Sequence, residues 1–299
     1  MDSVVSGRDL WQWRAQALAT AAAFQIPGME VDWLLQSLSN LDRLSLRLES
    51  FRDWPQVELH ISLAELEERW QQRVQQRVPV QYLAGRTSWR DFELRVSPAV
   101  LIPRPETEQI IDLAIAAAQE SGVSDLTCGH WADLGTGSGA IALGLARAFP
   151  KAIIHAVDMS HAALAVAQAN ADLLGLGDRI RFYQGSWLDP LLPYQGQMSG
   201  LIANPPYIPS HLIPTLQPEV ACHEPHLALD GGEDGLDCIR SLIQSGSIYL
   251  RSGGIWLTEM MAGQAEGVAS LLHRQGSYCQ IRVCSDLAGF ERFALAYRC

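Results

Sequence analysis

WADLGTGSGAIALGLA, residues 131–146, passes from an apolar run into three glycines at alternate positions and then into a second apolar run with helical spacing. Gly135, Gly137 and Gly139 therefore sit where a strand turns into a helix. Glycine reaches the positive φ that such a turn needs, and its bare backbone lets a ligand lie against the carboxyl edge of a sheet. The next apolar run, Ile153–Val157, ends on Asp158, 19 residues beyond Gly139. A carboxylate at that place accepts both hydroxyls of a ribose. The dinucleotide fingerprint GxGxxG has its third glycine one position later, so GxGxG departs from the pattern that cradles a pyrophosphate. The reading is a nucleoside site without a pyrophosphate.

Working outward, the pattern alternates. Helical spacing runs from Thr107 to Gln119, Ala140 to Ala148, Ala162 to Leu174 and Leu236 to Ser245. Between these lie short apolar runs at His130–Leu134, Ile153–Val157, Ile180–Tyr183, Leu201–Ala203 and Ile255–Glu259. This order implies an α/β fold with a parallel, doubly wound sheet. Gln280–Cys284 and Phe293–Tyr297 flank only a short loop and predict an antiparallel pair at the sheet edge. Upstream, Phe92, Leu94 and Val96 alternate with polar residues, and Val100–Ile102 follows across Ser97-Pro98, which predicts a hairpin connector over 79–104. Residues 1–78 read as a small helical domain: Leu10, Trp11, Arg14 and Leu18 fit one helix, Val31, Leu34, Leu35 and Leu38 a second, and Leu63, Leu66, Trp70 and Val74 a third. Ser62 and Glu65 have the spacing of a capping box at the start of the third.

The 299 residues are 48% hydrophobic and 18% charged, the composition of a globular protein with a sizeable core. No run approaches the roughly 20 apolar residues that span a bilayer. The start MDSVVSGRDLWQWR lacks the order of a signal peptide, so a cytoplasmic location and no membrane partner are the expectation. The six cysteines include no CxxC pair and read as scattered reduced thiols. A net charge of −11 argues against a duplex-binding protein that works by neutralising phosphates.

A further stretch, SGLIANPPYIPS, ends a buried strand on Asn204, Pro205, Pro206 and Tyr207. Two prolines stop the strand and leave carbonyls with no neighbouring N–H to compete for them. The Asn204 side-chain oxygen and the Pro205 carbonyl would each accept one N–H of a planar NH2 group, with the Tyr207 ring against its plane. Trp187, in GSWLD after the third parallel strand, is placed to stack on an adenine. A nucleoside beside an amine-holding corner suits S-adenosylmethionine.

These blocks carry a resemblance. DLGTGSGAIAL, AVDMSHAALAVAQANA, ANPPYI, EPHLALDGGEDGL and, upstream, QYLAGRTSW and VLIPRPETE resemble the signature blocks of the PrmC/HemK family, from about Gln81 to the end. Members of that family methylate the glutamine of the GGQ motif in peptide chain release factors. The resemblance implies a Rossmann-like class I S-adenosylmethionine-dependent methyltransferase domain over 105–299, preceded by a helical domain that docks the substrate. It implies that Gly135, Thr136, Gly137, Ser138, Gly139, Asp158, Trp187 and Asn204 bind the cofactor. Asn204, Pro205, Pro206 and Tyr207 would hold the glutamine, with Asn204, Pro205 and Tyr207 catalytic and no metal. The implied partner is the GGQ-containing domain of a release factor, with no direct nucleic-acid partner. Departures are MSGLIAN, where the family usually has an Asp before the strand, Trp89 where Phe is common, and the hairpin tip Arg90-Asp91.

The alternative enzyme is a DNA or RNA adenine amino-group methyltransferase, since an adenine NH2 satisfies the same corner. It would need a recognition module or a basic face, and the chain offers neither. A non-enzymatic alternative is a cofactor-binding scaffold that acts through the helical domain. Arg104, Glu106 and Glu108 either line the mouth of the site or cap and pair at the helix start. Cys222, His223 and His226 look metal-like but have no second ligand pair. Gly231, Gly232 and Gly235 are expected to shape a loop that covers the site.

Overall fold

In the computed structural model, which describes residues 3–299, the chain divides into two compact units. The first holds the chain up to Arg86 together with Gln217–His223; the second holds Thr87–Leu216 and Glu224–Cys299. The inclusion of 217–223 in the first unit has no counterpart in the hydrophobic pattern.

In the first unit, helices Gly7–Ala23, Met29–Leu38 and Leu63–Gln76 bury Leu10, Leu34, Leu35, Leu66 and Trp70 in one core. Beside these helices the unit carries a short ribbon that the helical reading leaves out: β1 (Ser3–Val5) pairs antiparallel with β2 (Val57–Leu59). Three-residue strands are too short to show a period, so no pattern announces them. The capping box is half made. Ser62 Oγ accepts from Glu65 N at 3.1 Å, whereas the Glu65 carboxylate turns outward to Arg69. Arg73 is 3% exposed and pairs with Glu30 and, across the sequence, with Glu219.

The second unit begins with the ribbon of β3 (Arg86–Trp89) and β4 (Phe92–Arg95), whose tip is Arg90-Asp91. The strand expected at Val100–Ile102 is absent: Val100 N turns back to Ser97 O, and Pro98 and Pro103 remove donors on either side. The sheet then follows as β5 (His130–Leu134), β6 (Ile153–Asp158), β7 (Ile180–Gln184), β8 (Met198–Ala203), β9 (Leu250–Glu259), β10 (Tyr278–Ser285) and β11 (Glu291–Arg298). Their spatial order is β10-β11-β9-β8-β5-β6-β7, with β11 antiparallel to both neighbours and β9, β8, β5, β6 and β7 parallel to one another.

Both faces are covered, which is why the central strands are buried along almost their whole length and mostly apolar. Successive residues alternate between two cores. Trp131, Ile202, Leu257 and Leu295 face helices Gln109–Glu120, Ala140–Ala148 and His161–Leu173. Ala132, Leu201, Trp256 and Ala296 face helices Asp237–Tyr249 and Ala265–Gln275. Helix Ala265–Gln275 is missing from the sequence-based reading because only Ala265, Val268 and Leu272 are buried on it, a stripe too thin to stand out. At Gly200, within MSGLIAN, a Cβ would lie 2.2 Å from the Trp131 ring, so only glycine fits beneath that indole.

Candidate active site

β5 lies between β6 and β8, so the chain reverses its direction of winding here, and a crevice opens at the carboxyl ends of these strands. A cavity of about 230 Å³ occupies it. Its wall includes Gly135, Thr136, Gly137, Ser138, Asp158, Trp187, Asn204 and Pro206 among the residues expected at the site. Gly139, Pro205 and Tyr207 are not on that wall. Gly139 (φ 85°) closes the loop against helix His161–Leu173, where a Cβ would lie 3.1 Å from Ala167 Cβ. Its absent side chain serves packing.

The glycine loop is held by its own backbone. Gly135 N and Thr136 N both donate to Val157 O at 2.9 Å, with φ of 80° at Gly135 and 53° at Gly137. Asp158 is anchored without being consumed: Oδ2 accepts Gly137 N and Oδ1 accepts Ser160 N, each at 2.9 Å, and each oxygen keeps lone pairs for a ligand hydroxyl. Trp187 stands across the loop with its ring 3.4 Å from where a Gly135 Cβ would be. Its φ of 46° is left-handed for a bulky residue, a conformation that costs about 1–3 kcal/mol and persists where the surroundings hold it.

No Lys, Arg or His lines the cavity, whereas Asp158 and Asp230 do. Two carboxylates with no basic side chain beside them suit a cation, so the wall fits a sulfonium nucleoside. Asp158→Ala is expected to weaken S-adenosylmethionine binding about tenfold while the rate at saturating cofactor changes little, because a ribose contact there would be made in ground and transition states alike. Calorimetry that finds unchanged affinity would remove the ribose role.

Beneath the loop, Asp133 is fully buried and its Oδ2 accepts from Thr136 Oγ1 at 2.6 Å and from Ala142 N at 2.9 Å. Burial pushes its carboxyl up to about 7 against the pull of these two donors. The folded chain thus keeps a proton that the unfolded chain gives up near pH 4. That stabilisation is complete below the unfolded value and is lost as pH rises through about 7. Thermal melts between pH 5 and 7 should show stability falling by up to about 1.4 kcal/mol per pH unit from this group. Asp133→Asn should flatten that slope.

At the second corner, Asn204 Nδ2 donates to Thr107 Oγ1 at 3.2 Å, Thr107 Oγ1 donates to Glu259 Oε2 at 2.7 Å, and Tyr207 Oη donates to Glu259 Oε1 at 3.0 Å. Burial raises both the Glu259 carboxyl and the Tyr207 phenol. The loop after Glu224 braces the corner from outside, since a Cβ on Gly231 would sit 2.8 Å from Pro206 O. Pro225, Leu227, Ala228 and Asp230 of that segment line the cavity; Gly231, Gly232 and Gly235 stand behind it.

Sequence reasoning missed Thr107 and Glu259. Glu259 had a signal, a carboxylate that closes an apolar strand at the same sheet edge as Asp158 and Asn204. The IPRPETE block resolves into separate parts. Arg104 pairs with buried Glu224 at 2.6 Å, Glu108 accepts Arg90 N at 2.8 Å and so holds the hairpin tip, and Glu106 is exposed. His223 meets Gln76 O at 2.7 Å. Among the described residues no group of three or more His, Cys, Asp or Glu is placed to hold a metal ion, and no helix is long and apolar enough to cross a membrane.

A glycine loop, a strand-end acid and an amide corner on this strand order define a class I methyltransferase, for which S-adenosylmethionine is the methyl donor that the fold implies. Residues 116–215 match the model of the methyltransferase small domain. The release factor glutamine methyltransferase of Synechocystis sp. is 50% identical over 98% of this chain and 97% of its own; that of Thermosynechococcus vestitus is 49% identical over 96% of each. The hMettl16 catalytic domain, solved in complex with MAT2A 3'UTR hairpin 6, shares the fold over 88% of each chain at 14% identity, TM-score 0.56. The chain belongs to the family of release factor glutamine methyltransferases.

Proposed function

We propose that this protein methylates the side-chain amide nitrogen of the GGQ glutamine in a peptide chain release factor, with S-adenosylmethionine as donor. The observation that carries the reading is that one cavity holds both the acid-and-glycine nucleoside site and Asn204 of the amide corner. Gly135, Thr136, Gly137, Ser138, Asp158 and Trp187 would hold the cofactor, which supplies a methyl group already activated by its sulfonium.

A carboxamide nitrogen is a poor nucleophile because its lone pair is delocalised into the carbonyl. Asn204 and the Pro205 carbonyl aim that nitrogen by accepting its two protons, and Tyr207 backs the corner. Positioning of this kind is worth on the order of 7–11 kcal/mol in well-aligned systems. The proton can leave to solvent after transfer, so no general base is required. Unit 1 supplies the surface that recognises the rest of the release factor, since a lone glutamine makes too few contacts to be selected.

Incubation with labelled S-adenosylmethionine and, in parallel, a release factor, a short GGQ peptide or oligonucleotides tests this reading. Label should enter the release factor fastest, the peptide slowly and the oligonucleotides not at all. Label in the oligonucleotides alone would replace the glutamine by an adenine amino group.

A further inference from the structure

A carboxamide presents an oxygen on one side and an NH2 on the other, and a half-turn of its last bond exchanges them. For Asn204 the difference decides whether the corner accepts from a substrate NH2 or repels it. The answer lies in two residues behind it, Thr107 at 4% and Glu259 at 1% exposure. Glu259 takes the hydroxyl proton of Thr107 on Oε2 at 2.7 Å and that of Tyr207 on Oε1 at 3.0 Å. The single proton of Thr107 is then committed. What Thr107 offers Asn204 is lone pairs alone, and Asn204 Nδ2 meets them at 3.2 Å. The opposite rotamer would press two oxygens together with no proton between them, at a buried place where an unmade hydrogen bond is costly.

We infer that Thr107 and Glu259 are positioning residues: their chain of one-way hydrogen bonds holds the Asn204 oxygen toward the cavity and so makes the corner select an NH2 group. The inference rests on the methyl-transfer reading for its catalytic consequence and on geometry for the rest. Glu259 also holds the Tyr207 hydroxyl, so one carboxylate orients both polar members of the corner.

The variants follow from proton direction. Thr107→Val removes the acceptor behind Asn204 Nδ2. Glu259→Gln keeps the shape but adds a donor; once that NH2 faces Thr107, the hydroxyl proton turns to Asn204 and draws its oxygen inward, leaving NH2 toward the substrate. Thr107→Ser keeps the relay.

The test measures kcat and KM on a release factor, S-adenosylmethionine affinity by calorimetry and, in protein labelled with ¹⁵N-asparagine, solvent exchange of the Asn204 side-chain NH2. Melting curves establish which variants fold. Thr107→Val and Glu259→Gln should each lower kcat about 30-fold with cofactor affinity within about twofold, and Thr107→Ser should recover most of the loss. In the wild type the Asn204 NH2 should exchange at least about tenfold more slowly than an exposed asparagine amide, and Thr107→Val should abolish that protection. Unprotected wild-type exchange, or variants that fold and turn over at the wild-type rate, would overturn the inference. Failure of the wild type to label any release factor would instead sink the functional reading, while the exchange measurement would still decide the orientation.

Discussion

Asn204→Ala is expected to slow methyl transfer to a release factor by about 10²- to 10³-fold while S-adenosylmethionine binds within about threefold of wild type. The asymmetry follows from where Asn204 stands. It follows β8 at the cavity wall with Nδ2 donating to Thr107, which by the inference above leaves its oxygen toward the ligand. That oxygen does little for a nucleoside held by the glycine loop and Asp158. In the proposed reaction it is one of two acceptors for the target amide, and its loss would leave the nitrogen free to rotate away from the line of transfer. The variant should fold, because Asn204 is half-buried and its removal leaves Thr107 still donating to Glu259. Single-turnover measurements at saturating cofactor check this, and a rate within threefold of wild type would remove Asn204 from the chemistry.

The second large effect is on stability. Arg73→Met should cost the first unit about 3 kcal/mol. The Arg73 side chain is 4% exposed and lies between Glu30 at 2.5 Å and Glu219 at 2.8 Å, whose side chains are 19% and 15% exposed. Methionine replaces the stem but leaves two mostly buried carboxylates, of which only Glu219 retains a cation, Arg77 at 2.7 Å. Breaking a buried pair by removing one partner is costly because the remaining charge stays desolvated. Chemical denaturation should show the loss, and adding Glu30→Gln should recover part of it. An Arg73→Met protein as stable as wild type would mean that water reaches the cluster.

Much of the second unit is legible in the chain because its signals are local. Gly135, Gly137 and Gly139 punctuate a strand-to-helix turn, apolar runs mark strands buried on both faces, and Asp158 and Asn204 close two of them at one sheet edge. What could not be read depends on partners far apart. Thr107 and Glu259 are 152 residues apart and only the fold shows that a hydroxyl proton passes between them. Asn170, inside an ordinary alanine-rich helix, bonds Ser138 O of the glycine loop and both the N–H and C=O of Arg95, a role its neighbours do not announce. Alternation alone puts the hairpin turn at Ser97-Pro98, whose turn signal is stronger than that of Arg90-Asp91; the turn forms at Arg90-Asp91, where Glu108 accepts Arg90 N.

The membership of Gln217–His223 in the first unit has a consequence for how the chain comes into being. A ribosome releases Arg73 long before Glu219, which follows 146 residues later. At about 5–20 residues per second that interval is roughly 7–30 s. During it the nascent first unit has Glu30 for its buried guanidinium but lacks the second carboxylate, so its final stability arrives only after β8 has been made. Pausing within that window would lengthen the time for which an unfinished helical unit is exposed to chaperones and proteases.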